Sequence, residues 1–84
     1  TKEEVIPDKE LFEHLKVLRK NIAMRQSVPA YVVFSDATLR EMSGTKPRTE
    51  KEFLSINGIG DNKLKRYGSI FLAEIQKYID KKGI

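Results

Sequence analysis

Apolar residues recur at helical spacing in several separate stretches of the chain, and no stretch alternates for long enough to specify a sheet. Leu11, Leu15, Leu18 and Ile22 fall at i, i+4, i+7 and i+11, and Phe12 and Ala23 widen that stripe on one side. The spacing predicts a long first helix with Asp8 at its N-cap, where a carboxylate accepts from unpaired backbone N–H groups. Lys16, Arg19 and Lys20 lie off the stripe and give this helix a basic side. It should fade near Arg25–Ser27, because Pro29 disfavours helix in the residue before it. A second helix is expected from a Ser35 or Asp36 cap through Leu39 and Met42, stopping at Gly44. Thr49 with Glu52 makes a capping box for a short helix that ends near Ile56.

Asn57-Gly58-Ile59-Gly60 then reads as a hairpin-like turn, followed by a short helix from Asp61 to Tyr67 that Gly68 breaks or caps. The last helix runs from about Ser69 to Lys82, with Phe71, Leu72, Ile75, Tyr78 and Ile79 on one face, and Gly83 ends it. Between the first two helices, Val32, Val33 and Phe34 are good strand formers, but the run is short and has no partner of similar pattern. It reads as a tight, buried connection. The expected fold is therefore all-α, a compact bundle of about five short helices containing a helix-hairpin-helix-like turn. Residues 1–7 read as a linker and 8–84 as the domain.

Eighty-four residues support one core, and the 33 % charged and 39 % hydrophobic content suits a folded domain rather than a disordered tail. The chain opens on Thr1 rather than methionine and reads as an excised fragment. Its charge is uneven. The first ten residues set Glu3, Glu4, Asp8 and Glu10 against Lys2 and Lys9, a balance of −2; since the whole chain carries +4, residues 11–84 carry +6. A basic body is the footprint of a nucleic-acid binder, although a lysine-rich solvated surface gives the same count. With no cysteine there is no disulfide, thiolate metal site or cysteine nucleophile. The longest apolar run, Ala30 to Phe34, is far shorter than a bilayer needs.

Little in the sequence suggests catalysis. His14 stands alone beside the apolar stripe, which suits a boundary residue better than a base or ligand. No carboxylates have the spacing of a calcium or magnesium loop, and no serine has a candidate base in a recognisable pattern. No catalytic or metal-binding residue is expected. Gly58-Ile59-Gly60 lacks the strand, third glycine and Gly-Lys-Ser/Thr of nucleotide-binding loops. In a helix-hairpin-helix setting, such glycines permit tight geometry, and amides near Gly58 and Gly60 could hold a phosphate beside Lys63, Lys65 and Arg66. Alternatively they only make a compact turn, and Leu64 stands where DNA-binding hairpins usually carry a small residue. Tyr31 is the second candidate. An exposed aromatic near basic residues such as Arg25 and Lys20 grips single strands by stacking on a base; buried, it would merely pack with its hydroxyl bonded at the edge.

The block from Val28-Pro29-Ala30-Tyr31 through Val32-Val33-Phe34-Ser35-Asp36-Ala37-Thr38-Leu39, followed by Phe53 to Lys63 and by Tyr67-Gly68, resembles the HRDC (helicase and RNase D C-terminal) domain over about residues 9–81. Within that family it is most similar to bacterial RecQ helicases, with the ribonuclease D family second. The resemblance implies a non-catalytic C-terminal accessory domain of an ATP-dependent 3′ to 5′ DNA helicase, active at the bacterial nucleoid in the cytoplasm. The domain itself would carry no cofactor; ATP, magnesium and zinc would belong to parent regions upstream. The partners implied are single-stranded or partially duplex DNA and, in some members, the helicase core or another protein. No membrane partner is implied, and a monomer is expected. Carried onto this chain, the nucleic-acid contacts would be Tyr31 with Arg25, Lys20 and Lys16, and the hairpin set Gly58, Gly60, Lys63, Lys65 and Arg66. Asp36 and Thr38, although motif residues, are expected to be cap and fold determinants. A protein-docking domain, or an RNA-binding accessory domain of a ribonuclease, are the alternatives.

Overall fold

The computed structural model describes residues 6–83, so most of the stretch read as a linker lies outside the described residues. Helix α1 (Lys9–Gln26) is followed by a single turn, α2 (Ala30–Val33), and then by α3 (Asp36–Thr45) and α4 (Glu50–Leu54). Helix α5 (Asp61–Lys63) runs through a π-helical turn, Leu64–Gly68, into α6 (Ser69–Lys82). No described residue lies in a strand. Helix α1 packs against α2, α3 and α6, and α4 packs against the π turn.

Local sequence explains most of the helix starts. The Asp8 carboxylate accepts from Leu11 N–H at 3.1 Å and the Ser35 hydroxyl from Thr38 N–H at 3.2 Å. Thr49 Oγ1 accepts from Glu52 N–H at 3.1 Å, and Glu52 reaches back one residue beyond the usual capping box to Arg48 N–H at 2.7 Å. Helix α3 outlasts Gly44 by one residue and ends at Lys46, which takes the left-handed conformation.

The core centres on Phe34, whose ring meets Phe53, Tyr67 and Phe71 edge-on at centroid distances of 6.0, 5.7 and 5.0 Å. Leu11, Leu15, Leu39, Met42 and Ile75 complete it, all fully buried.

Three expectations change. The tight connection before Phe34 is a helical turn and is not buried throughout: Pro29 presets the entry, Val33 and Phe34 are buried, and Tyr31 and Val32 are exposed. Gly68 does not end a helix. Its backbone is ordinary right-handed helix, and the space left by its missing side chain is filled by Leu64, whose Cδ1 lies 2.6 Å from where a Cβ would stand. Arg19 does not belong to the basic side of α1. It is buried, with its Nη1 donating to the Phe34 carbonyl at 3.0 Å and pairing with Asp36 at 2.7 Å, because the α2–α3 connection crosses directly over it.

The hairpin is fastened to α3. Thr38 Oγ1 donates to the Asn57 carbonyl at 3.0 Å, and Gly58 follows at φ +91. A Cβ on Gly58 would lie 2.5 Å from Thr38 Oγ1, whereas one on Gly60 would meet nothing within 4 Å. The two glycines are therefore not equivalent. Gly58→Ala is expected to destabilise the domain by about 2 kcal/mol or more, and Gly60→Ala by less than about 0.5 kcal/mol. Urea unfolding of the two variants checks this, and equal midpoints would refute it.

Candidate nucleic-acid interface

The candidate interface is built where α1 ends. Ser27 takes the left-handed conformation, and Val28 N–H returns to the Ala23 carbonyl at 3.0 Å, so the chain reverses sharply into Pro29. Ala30 and Val33 turn inward. Tyr31 is left 73 % exposed, so its ring is open to a stacking partner rather than part of the core. Val32, its neighbour, is partly exposed and lines a groove with Asn62, Lys63 and Arg66.

A second groove adjoins the first and is lined by Ile22, Arg25, Arg66 and Ile70. Gln26, Arg66 and Tyr67 belong to both. The Tyr67 hydroxyl donates to Gln26 Oε1 at 2.9 Å and pins the end of α1 to the π turn. That bond carries Arg25 and Arg66, far apart in sequence, to one side of the domain. Neither forms an ion pair among the described residues, so both guanidinium groups remain available to an external anion.

Lys63 is placed differently. Its ammonium donates to the carbonyls of Val32 and Val33, the latter at 2.8 Å, and lies 5.7 Å from the centroid of Phe34 and 5.8 Å from that of Tyr67. It borders the groove while engaged with the backbone of α2.

The remaining residues singled out from the sequence lie elsewhere. Lys16 pairs with Glu13 at 3.4 Å and sits over the Phe12 ring. It lies roughly two and a half helical turns before Arg25 and so points to the other side of α1. Lys20 and Lys65 are exposed and line neither groove. Gly58 borders a separate recess beside Thr38 and the acidic Glu41, and Gly60 caps α5. The structure thus brings together Arg25, Arg66 and the edge of Lys63 beside the turn that carries Tyr31. It adds Gln26 and Asn62, which the sequence reading did not single out. No local pattern marks these two amides, because Gln26 is defined by a partner 41 residues away.

Among the described residues, no group of three or more histidines, cysteines, aspartates or glutamates could hold a metal ion. No described helix is long and apolar enough to cross a membrane.

Comparison with known proteins gives a consistent result. The HRDC domain family matches residues 8–75. The chain is 56 % identical over 69 residues to the ATP-dependent DNA helicase RecQ of Bacillus subtilis, an alignment that covers 82 % of this chain and 12 % of that protein. It is 45 % identical over 62 residues to the ATP-dependent DNA helicase UvrD2 of Mycobacterium tuberculosis, covering 74 % of this chain and 9 % of that one. The chain thus corresponds to a small part of the curated relatives it matches. A solved structure, D. radiodurans RecQ HRDC domain 3, superposes with a TM-score of 0.80 at 33 % identity, covering 83 % of this chain and 92 % of that one. With the all-helical fold in place and the match spanning most of its length, the chain belongs to the HRDC domain family.

Proposed function

We propose that this domain is a non-catalytic accessory module of a RecQ-type ATP-dependent 3′ to 5′ DNA helicase, and that it binds single-stranded DNA weakly and without sequence preference. The observation that carries the reading is the exposed Tyr31, whose chain neighbour Val32 lines a groove with Arg66, together with the unpaired Arg25 in the adjoining groove. In this arrangement the tyrosine ring stacks on a base while the two guanidinium groups follow the phosphates. Gln26 and Asn62 supply neutral hydrogen-bonding groups to the same path. Lys20 and Lys65 strengthen the surrounding positive field without lining the path. Such a module would help the parent enzyme select among DNA structures, and the ATPase chemistry would reside in the parent's other regions.

Fluorescence anisotropy of a labelled single strand titrated with the domain tests this. If the two guanidinium groups neutralise about two phosphates, log affinity falls against log salt with a slope of roughly −1.4. Tyr31→Ala is expected to weaken binding by about 1–3 kcal/mol without altering the fold. An unchanged affinity in the folded variant would remove Tyr31 from the path. Absence of binding even at low salt would move the function to docking on a protein surface, and stronger binding to RNA of the same sequence would indicate a ribonuclease-type role.

A further inference from the structure

We propose that Lys63 acts as a positioning residue: its ammonium clamps α2 and so holds Tyr31 in place for a nucleic-acid strand, instead of contacting a phosphate itself. The inference rests on the single-strand reading of the groove and assigns one of its basic groups a different task.

A four-residue helix does not hold itself together in water, because one turn fixes several backbone angles for very few hydrogen bonds. Within α2, the closing bond from Phe34 N–H to the Ala30 carbonyl is long, at 3.4 Å. The carbonyls at the end of such a helix have no partners of their own. Here three consecutive ones are taken by basic side chains. Lys63 accounts for those of Val32 and Val33, and Arg19 for that of Phe34. A cation at a helix C-terminus is also favoured by the helix dipole. The Lys63 stem is half-buried, and its ammonium lies close to the Phe34 and Tyr67 rings.

Two of the three ammonium donors are therefore used within the protein. Moving the group onto a phosphate would strip two carbonyls of their partners, and the first structure to loosen would be the turn that presents Tyr31. Lys65 and Arg66 carry the same charge on the same helix without this attachment, so the clamp belongs to Lys63 alone among the three.

The test is a double-mutant cycle on single-strand affinity, read together with amide hydrogen exchange of the DNA-free protein. Lys63→Met keeps the stem and removes the donors. It should raise exchange at the amides of α2 and weaken binding roughly tenfold, the penalty for reordering a few residues on association. In a Tyr31→Ala background the same substitution should have almost no further effect, because both changes remove one contact. The salt slope should stay as in the unchanged protein, and Lys63→Arg should recover part of the affinity. A merely structural lysine would lower the melting temperature without this coupling.

Additive losses in the cycle, with a slope reduced by about 0.7, would make Lys63 a phosphate contact and overturn the proposal. Unchanged exchange in α2 would overturn it as well. If the unchanged protein does not bind DNA while Lys63→Met still loosens α2, the clamp stands and the single-strand reading falls.

Discussion

Replacing Asp8 with alanine is expected to destabilise the domain by about 2–4 kcal/mol, a large effect for a residue at the edge of the fold. Asp8 joins three helices. Its carboxylate caps α1 through Leu11 N–H, accepts from the Tyr78 hydroxyl of α6 at 2.9 and 3.0 Å, and meets the Lys46 ammonium after α3 at 3.2 Å. Its own N–H donates to Ser43 Oγ at 3.2 Å. Losing the cap costs about 1 kcal/mol, and stranding the buried Tyr78 hydroxyl costs about 1–3 kcal/mol more. The partly exposed Lys46 pair adds little. Asp8→Asn, which keeps a capping oxygen, should recover roughly half of the loss. A cost below about 0.5 kcal/mol for the alanine variant in urea unfolding would show that this junction does not hold the helices together.

The same junction sets the pH dependence. Burial pushes the Asp8 carboxyl up, but the bonds from Leu11, Tyr78 and Lys46 outweigh it and hold the group below its ordinary 3.8. A depressed carboxyl contributes stability that is complete above its unfolded value and is lost as pH falls through the folded one, so this contribution disappears below about pH 4. The Tyr78 hydroxyl moves the other way, to about 12, first through burial and then through its bond to Asp8. Its contribution is whole below pH 10 and is lost between there and about 12. Melting temperatures across the pH range should fall at both ends. In Asp8→Ala both flanks should flatten.

Arg19→Ala should be about as damaging, at roughly 2–4 kcal/mol. The substitution leaves the Phe34 carbonyl buried without a donor and opens a space beside Leu15 and Ala23. Asp36, which is largely exposed, is readily rehydrated and contributes the smaller part. The Arg19 Nε–H is buried without a partner among the described residues, so the arginine itself is not ideally satisfied. Arg19→Met keeps the stem but loses both bonds, and should be milder than alanine by about 1 kcal/mol. Thermal unfolding of the pair checks the order, and an alanine variant as stable as the parent would mean the α2–α3 connection is held by other contacts.

The burial of Arg19 also shows where sequence reasoning reaches its limit. The Asp8 and Thr49 caps are legible in the sequence, and the second helix's cap narrows to Ser35 or Asp36, because a cap is made by residues three apart; the stripe on α1 is legible because burial there follows helical spacing. Its charge groups Arg19 with Lys16 and Lys20, yet it lies four residues from both Leu15 and Ala23 and so shares their face. The signal was present and residue type overrode it. The α2 turn was less accessible. Its strand-forming valines are held helical by a lysine 30 residues downstream, which no local rule supplies. Glycine often ends helices, but at Gly68 the bulk of Leu64 fills the place of the missing side chain. For the site, Tyr31, Arg25 and Arg66 were named from the sequence. Their grouping depends on the Tyr67–Gln26 bond, whereas the separation of Lys16 from Arg25 already follows from their spacing on the long helix that the apolar stripe predicts.

The most direct test of the proposed interface is an amide NMR titration of the domain with a short single strand at low salt. The expected shifts fall on Gln26, Tyr31, Val32, Asn62 and Arg66, and shrink as salt is raised. Shifts confined to Lys77 and Lys81 on α6, which line neither groove, would contradict the account.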